Sequence, residues 1–411
     1  MKPSLFLGLG ILLAATFTPP AAAAPPRPVG SEIAVNVATL GSHVWPVTDL
    51  FSDGGFVLAW TDIGQKSSVH ARFFSAAGTP VSGEIRLLAP SDSNTQVTSV
   101  VVDRDDSFLV AWMDTPPGKP TRVLVERFNR TGKALGPAFQ VHAGSPQPRF
   151  GGRLALCPGG GFAVAWTAAE DHLTHTEEGA DVHAADVYAR VYTAGGVPLS
   201  PEFRANESTF DDQFLAGLAV SPNGVLNVLY TSWEELYALR MRRLTPRGRP
   251  LGAEVAVSSE DPNGAAGLAA LSQAPDGTFT VAWSAYGLAD AVTARRFAAD
   301  GSPLTDDFGV ELRGQGQDVV GDLASLPDGG FVAVWTNQEA RDGEGEGIFG
   351  RAFGPSGLPL TRDFQLNETT PGNQHDPVVA GRNGRFVVAW NQTALNTVRP
   401  SKVRARLLGS R

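Results

Sequence analysis

The stretch PDGGFVAVW, residues 327–335, is a tight-turn sequence followed by an apolar run that ends in tryptophan. The same phrase returns six more times, as GGFVLAW ending at Trp60, SFLVAW at Trp112, GFAVAW at Trp166, GVLNVLY at Tyr230, GTFTVAW at Trp283 and GRFVVAW at Trp390. The final aromatics are 52, 54, 64, 53, 52 and 55 residues apart. A period near this length, with several short strands per unit, is typical of a β-propeller blade. We therefore expect an all-β protein with seven blades.

The sixth unit shows four strand patterns. Asp-Gly between two apolar runs predicts a hairpin at 327–330, because glycine tolerates the positive φ that tight turns require. The predicted strands, named a to d from the propeller axis outward, cover 318–326, 331–336, 348–353 and 364–367. Each blade is therefore predicted to be a four-stranded antiparallel meander.

The two ends of the chain predict how the ring closes. The last unit has strands a (377–380), b (385–390) and c (402–408), with no fourth strand before residue 411. The segment SEIAVN at 31–36 matches strand d of other units, EFRAN at 202–206 and DFQLN at 363–367. We expect this first segment to complete the last blade, which would leave no open sheet edge.

The N-terminus predicts export. Residues 1–23 contain Lys2, an apolar stretch from Leu5 to Phe17 and small residues before a cleavage point after Ala23, as in a secretory signal peptide. A short proline-rich lead at 24–30 and a single propeller domain at 31–411 would follow. The expected location is periplasmic or extracellular, and a lipoprotein is not expected because no cysteine lies at the cleavage site.

The composition excludes several classes of protein. A net charge of −9 gives no basic footprint for nucleic acid. After the signal, no apolar run is long enough to span a membrane. Cys157 is the single cysteine, so disulfide bonds are not expected to hold the fold, and we interpret it as a small buried hydrophobe.

Two further regularities indicate architecture. The recurring tryptophan is expected to pack in the core of every blade. On strand c, aligning the units brings charged residues to one position: Arg72, Arg190, Arg242, Arg295, Arg351 and Arg406, with Glu126 in the second unit. A charge that recurs in this way is expected to link neighbouring blades.

The repeat text resembles the tandem repeats of many bacterial exported and cell-surface β-propeller proteins. The similarity lies in GGFVxxW, then Ile/Val-Tyr/Phe-x-Arg-x-Phe, Gly-x-Pro-Leu and Glu/Asp-Phe-x-x-Asn, and it covers nearly everything after the signal. The sixth unit is the best example, with Gly330-Phe331 to Trp335 and Ile348-Phe349-Gly350-Arg351-Ala352-Phe353. This resemblance implies an exported propeller and does not imply one function, since propellers host enzymes, lectins and scaffolds.

The candidate site residues lie on the face where the b–c loops and d–a connections vary. Residues before or at the start of strand a are expected to converge on a ligand site at the top of the central channel: His43, Arg149, Gln213, Asp318 and His375. No motif for catalysis was found, neither GxSxG, HExxH nor a P-loop, so no catalytic residue is assigned.

Two loops are candidate metal sites, although an exposed acidic loop is the simpler interpretation of each. In the long b–c insertion at 167–186, imidazoles and carboxylates could bind a transition metal, with His172, His175, Asp181 and His183 as ligands. In the sixth b–c loop, Asp342, Glu344 and Glu346 alternate with glycines, a pattern that suits calcium. Calcium is the single cofactor considered, and the default expectation is none.

Three functions remain open from the sequence. The main hypothesis is a secreted, non-enzymatic scaffold that binds an extracellular protein or glycan through its loop face. The alternatives are an extracellular hydrolase or lyase with its site at the top of the channel, and a lectin with pockets between blades. The oligomeric state is not predicted.

Overall fold

The computed structural model describes residues 24–37, 41–144, 147–175, 181–209, 212–233, 238–258, 265–286, 291–312, 318–395 and 400–409. These residues form seven four-stranded antiparallel sheets, and no helix occurs among them. The predicted seven-bladed propeller is confirmed. In this part of the chain no helix has the length and apolar character needed to cross a bilayer. The signal sequence lies outside the described residues.

Each blade runs in order from the inner strand a to the outer strand d. Blade 1 contains β2 (Ser42–Leu50), β3 (Phe56–Ile63), β4 (Ser67–Phe74) and β5 (Ile85–Ser91). Blade 2 contains β6 (Asn94–Val102), β7 (Phe108–Thr115), β8 (Arg122–Phe128) and β9 (Phe139–Gln140). Blade 3 contains β10 (Arg149–Leu156), β11 (Phe162–His175), β12 (Asp181–Tyr192) and β13 (Phe203–Arg204). Blade 4 contains β14 (Gln213–Val220), β15 (Leu226–Ser232), β16 (Ala238–Leu244) and β17 (Val255–Ala256).

The remaining blades follow the same order. Blade 5 contains β18 (Ala265–Gln273), β19 (Phe279–Tyr286), β20 (Ala291–Phe297) and β21 (Phe308–Gly309). Blade 6 contains β22 (Val319–Ser325), β23 (Phe331–Asn337), β24 (Gly347–Phe353) and β25 (Phe364–Gln365). Blade 7 contains β26 (Asn373–Arg382), β27 (Arg385–Thr393) and β28 (Ser401–Gly409), and β1 (Arg27–Ala34) supplies its outer strand.

The ring closes through β1, as the repeat text predicts. β1 pairs antiparallel with β28, and it begins at Arg27, four residues earlier than the expected segment. Beyond the ladder, the Val35 amide donates to the Val403 carbonyl, and the Asn36 side chain accepts the Val403 amide. Val35 is fully buried, so this segment contributes to the core as well as to the sheet edge.

The recurring aromatic of strand b is core in every blade. Its exposure is at most 4% in all seven repeats, at Trp60, Trp112, Trp166, Tyr230, Trp283, Trp335 and Trp390. The apolar clusters combine residues of adjacent blades, so burial of apolar surface holds blade to blade. Cys157 packs half-buried beside the cluster between blades 3 and 4, and burial raises the pKa of its thiol to about 11.

The strand-c arginines join neighbouring blades, which confirms their architectural role. Four of them donate to a carbonyl at the end of strand d in the preceding blade: Arg72 to Val35, Arg295 to Val257, Arg351 to Val310 and Arg406 to Leu366. Several also donate to a carbonyl of their own c–d turn, as Arg351 does to Thr361 at 3.0 Å. These guanidinium groups are therefore engaged in structure.

The Glu/Asp-Phe-x-x-Asn motif is structural at both ends. Its acid accepts backbone N–H groups that follow strand d of the preceding blade, as Glu202 does from Ala143 at 2.9 Å. Its last residue accepts an N–H of strand c in its own blade, in the pairs His142–Val123, Asn206–Val187, Ser258–Leu239, Glu311–Val292, Asn367–Ile348 and Asn36–Val403. We call this last residue the strand-c cap.

Strand a carries an irregularity near the channel in every blade. The ladder to strand b shifts register between Val44 and Val47, Val97 and Ser99, Phe150 and Arg153, Leu215 and Gly217, Ala266 and Ala269, Val320 and Asp322, and His375 and Val378. These bulges bend strand a beside the channel opening and change the direction of its side chains. We call the side with the b–c and d–a connections the mouth face, and the opposite side the turn face.

Candidate active site at the channel mouth

Two bulges hold a non-glycine residue in the left-handed backbone region. Trp45 has φ 54° in blade 1, and Asp376 has φ 55° in blade 7. At the matching place in blade 3 stands Gly151, with φ 73°, which adopts this conformation without strain. Left-handed backbone costs a non-glycine residue on the order of 1–3 kcal/mol, and such residues cluster at functional sites. Blades 1 and 7 are neighbours in the ring, so both strained residues lie on one side of the mouth.

Asp376 belongs to a hydrogen-bonded group. Its Oδ2 lies 2.9 Å from His375 Nδ1 and accepts the Asn391 side-chain amide at 3.1 Å. Burial acts to raise the pKa of Asp376, but the hydrogen bond and charge of His375 outweigh it, so the pKa is held below its ordinary value. The pKa of the His375 imidazole is raised in turn. Burial acts to lower it, but Asp376 and Glu346 together outweigh burial. Each partner therefore favours the charged form of the other.

Glu346 brings a second carboxyl group to the same place from blade 6. Its carbonyl accepts the Gln374 amide at 2.9 Å, and its own amide donates to the Asn373 side chain at 3.3 Å. Burial is the main cause that raises the pKa of Glu346, and the charge of Asp376 adds to it while His375 opposes it. The pKa values of the two neighbouring carboxyl groups are therefore shifted in opposite directions, an asymmetry that acid–base catalysis can use.

Four of the five predicted ligand-site residues occupy one ladder position. His43, Arg149 and Gln213 each pair with the second residue after the strand-b aromatic, and Asp318 directly precedes β22 beside Asn337. All four side chains are buried, at 2%, 7%, 0% and 6% exposure in chain order. They lie within the blades near the mouth, and the prediction that they bind a ligand stays a prediction.

In blade 7 this ladder position belongs to Gln374 and not to His375. Gln374 pairs with Gln392 and is fully buried, whereas His375 pairs with Asn391 and keeps 29% of its side chain exposed. The bulge at 376–377 sets this register. As a result His375 is partly exposed at the mouth. The other four predicted residues lie one ladder position earlier in their strands.

A second histidine group lies in blade 1. Asp62 Oδ1 is 3.8 Å from His43 Nδ1, and Asp62 Oδ2 is 3.8 Å from His70 Nε2. His70 also lies 3.1 Å from the Ser68 hydroxyl, and burial is the main cause that lowers the pKa of its imidazole. The two separations from Asp62 exceed hydrogen-bond length, and no role is assigned to this group.

The proposed calcium loop directs its carboxylates to different partners. Asp342 accepts the Asn367 side-chain amide at 2.6 Å, Glu344 is exposed, and Glu346 faces the His375 group. Among the residues that the structure describes, no group of three or more His, Cys, Asp or Glu could hold a metal ion. Calcium binding here stays a prediction.

The insertion after Trp166 is a hairpin extension and not the loop that we expected. β11 runs on to His175 and β12 begins at Asp181, with His175 paired to Asp181 and Leu173 paired to His183. The backbone ladder explains how so long an insertion is accommodated. The side chains of His172, His175, Asp181 and His183 lie outside the described ones, so the transition-metal hypothesis stays a prediction.

Two clefts between blades lie on the turn face. One of 330 Å³ lies between blades 7 and 1, beside Leu50, Gly54 and Arg385. The other, of 290 Å³, lies between blades 2 and 3, beside Leu135, Phe139 and Phe162. Both are far from the mouth, and a lectin function in such clefts stays a prediction.

Sequence reasoning missed Asp376, Asn391 and Trp45. One signal could have found two of them, since Trp45-Pro46 and Asp376-Pro377 place proline inside a strand pattern. Proline in a strand marks a bulge or an edge, and both prolines follow the strained residue. Asn391 carries no such mark, because its role depends on the register of blade 7.

No protein-family model matches this sequence, and no curated protein matches it. Solved structures do share the fold. A polysaccharide lyase, Uly1, aligns with a TM-score of 0.58 at 8% identity over 91% of this chain and 90% of the lyase. A protein of unknown function from Dyadobacter fermentans aligns at 0.55 and 13% identity over 94% and 99% of the two chains. The α-L-arabinofuranosidase Arb93A from Fusarium graminearum aligns at 0.53 and 9% identity over 92% and 97%. At these identities the likeness shows a common fold.

Proposed function

We propose that this protein is an exported glycan-cleaving enzyme that hydrolyses glycosidic bonds at the mouth of its channel. The observation that carries the proposal is the pair of carboxyl groups with opposed pKa shifts, Glu346 raised and Asp376 lowered, beside the strained backbone of Asp376. The lyase and the arabinofuranosidase with the same fold support it as an analogy.

The residues divide the chemistry as follows. Glu346, protonated, gives its proton to the oxygen of the leaving sugar as the glycosidic C–O bond breaks. Asp376, ionised, takes a proton from the water molecule whose oxygen attacks the anomeric carbon. His375 and Asn391 act as positioning residues, because their hydrogen bonds hold the Asp376 carboxylate in place.

The test incubates purified protein with arabinan, a neutral polysaccharide, or with alginate, a uronate polymer. The reducing ends released from each polysaccharide are measured. Positioned acid–base groups contribute about 100-fold or more to a rate, so Glu346→Gln and Asp376→Asn should each lose at least about that factor. Glu344→Gln is the matched control, because Glu344 is exposed in the same loop. Its rate should equal that of the unmodified protein.

Other outcomes separate the remaining functions. Products with a new carbon–carbon double bond, seen by ultraviolet absorbance, would show elimination and would replace hydrolysis by a lyase reaction. Binding of a polysaccharide with no cleavage in the unmodified protein would overturn the enzymatic proposal and favour the non-enzymatic binding scaffold.

A further inference from the structure

Three aromatic side chains lie at the mouth end of blades 3 and 4. Trp233 is 44% exposed and Phe150 is 38% exposed. The rings of Phe214 and Trp233 meet edge to face, with centroids 5.4 Å apart at 62°. Large aromatic groups with this much exposed surface are not core residues. We call Phe150, Phe214 and Trp233 the aromatic platform.

The aromatic platform spans two adjacent blades. Phe150 and Phe214 hold the same ladder position in adjacent blades, since they pair with Thr167 and Thr231, each directly after the strand-b aromatic. The Thr167 hydroxyl accepts the Leu215 amide at 2.9 Å, which ties β11 of blade 3 to β14 of blade 4. The Trp233 amide donates to the Asp212 carbonyl at 3.1 Å and fixes the end of strand b.

The aromatic platform and the carboxyl groups lie on opposite sides of the ring. In a ring of seven, the point opposite blade 7 is the seam between blades 3 and 4. His375 also pairs with the residue directly after its strand-b tryptophan, Asn391, so it lies at the same height as Phe150 and Phe214. The mouth therefore has an acid–base side and, opposite to it, an aromatic side.

The repeat does not require these aromatics. At the same ladder position blade 1 has Val44, blade 2 has Gln96 and blade 6 has Val319. Aromatic faces suit the apolar C–H faces of sugar rings, and an amphipathic indole tolerates partial exposure to water. A glycan is thus the occupant that fits both this surface and the chemistry opposite.

We propose that the aromatic platform is a sugar-binding subsite that holds a second residue of the glycan whose bond is cleaved beside Asp376. This inference rests on the proposed function and names its substrate class: an oligosaccharide or polysaccharide that spans the mouth. A glycoside with a single sugar would reach the acid–base side without touching the aromatic platform.

Binding measured without turnover tests the subsite. Arabino-oligosaccharides and alginate oligosaccharides of increasing length are titrated into Asp376→Asn protein, with calorimetry as the readout. Adding Trp233→Ala or Phe214→Ala should weaken binding of the long oligosaccharides about tenfold. Adding Leu304→Ala, a matched control that is 51% exposed on a c–d turn, should leave the affinity unchanged.

The outcomes separate this inference from the proposed function. Equal affinity of the aromatic variants and the control would overturn the subsite even if Glu346→Gln abolishes cleavage. Binding that weakens equally for single sugars and long chains would also overturn it, because the aromatic platform would then lie at the cleaved bond. An unfolding midpoint equal to that of the Leu304→Ala control confirms that each aromatic substitution leaves the fold intact.

Discussion

At the scale of single residues, the charged groups that recur from blade to blade behave differently from those that occur in one blade. The charged residues that recur, such as Arg351 and Glu202, are bonded to backbone groups of a neighbouring blade. The hydrogen bonds that the structure describes for Asp376 come from the side chains of His375 and Asn391, and its backbone is strained, with φ 55°. Blade 3 has Gly151 at the matching place, so an aspartate kept in this conformation indicates a side chain held for another purpose.

This strain is measurable by comparing two substitutions at one position. Glycine adopts the left-handed backbone without strain, so Asp376→Gly removes the conformational cost, whereas Asp376→Ala keeps it. Both substitutions remove the carboxylate. We expect the glycine variant to be more stable than the alanine variant by about 1 kcal/mol in urea unfolding, with cleavage lost in both. Equal stability of the two variants would contradict a strained site.

At the scale of elements, the strand-c cap shows how one position takes different residues. Asparagine fills it in blades 3, 6 and 7, while Glu311 fills it in blade 5. Burial, with the charges of Asp318 and Asp363 adding to it, raises the pKa of Glu311 to about 7. The cap in blade 5 is therefore sensitive to pH, and the amide caps are not.

Replacing this cap should change how stability depends on pH. Because the folded-state pKa of Glu311 lies above its unfolded value, its contribution is fully present below about pH 4 and is lost as the pH rises through about 7. Glu311→Asn should remove this loss and raise the free energy of unfolding at about pH 8 by roughly 1–3 kcal/mol. Urea unfolding at several pH values measures it, with exposed Glu339→Gln as the control. A Glu311→Asn curve parallel to that of the unmodified protein would refute this role.

Elements also show where sequence reasoning stopped. The alternating run before each tryptophan and the Asp-Gly turns predict strands b and their hairpins, since these depend on local pattern. The bulge in blade 7 depends on how strand a packs against blades 6 and 1. The sequence therefore did not reveal that Gln374, and not His375, takes the ladder position of the other predicted residues. The extension of β11 and β12 was missed because its residues carry no apolar alternation.

At the scale of the whole molecule, closure depends on the first segment. β1 covers the edge of β28, and Val35 lies fully buried between blades 7 and 1. An uncovered edge strand exposes unpaired backbone groups and promotes aggregation. The matching of SEIAVN to strand d in other blades predicted this closure from the sequence alone, because the repeat assigns each segment its place.

Deleting residues 24–37 should lower the midpoint of thermal unfolding sharply and cause aggregation. Removing residues 24–26 alone is the control, because β1 begins at Arg27 and should remain paired. An unfolding midpoint that is the same in both truncations would show that the ring is closed by other contacts.

The pattern of carboxyl groups could not be predicted because it arises between blades. Glu346 comes from a b–c loop of blade 6 and Asp376 from a bulge of blade 7, and no linear motif joins them. The repeated sequence predicted the scaffold. The residues that depart from the repeat, Asp376, Trp45 and the aromatic platform, lie at the mouth where the chemistry is proposed.

The most direct test is the pH dependence of kcat/KM for polysaccharide cleavage. With Asp376 ionised and Glu346 protonated in the active form, the rate should rise on the acid side as Asp376 loses its proton and fall on the alkaline side as Glu346 does. This predicts an acidic optimum, and Glu346→Gln should cut the rate and abolish the alkaline fall. An alkaline fall that persists in Glu346→Gln protein, at an undiminished rate, would contradict the assignment of the mouth as the active site.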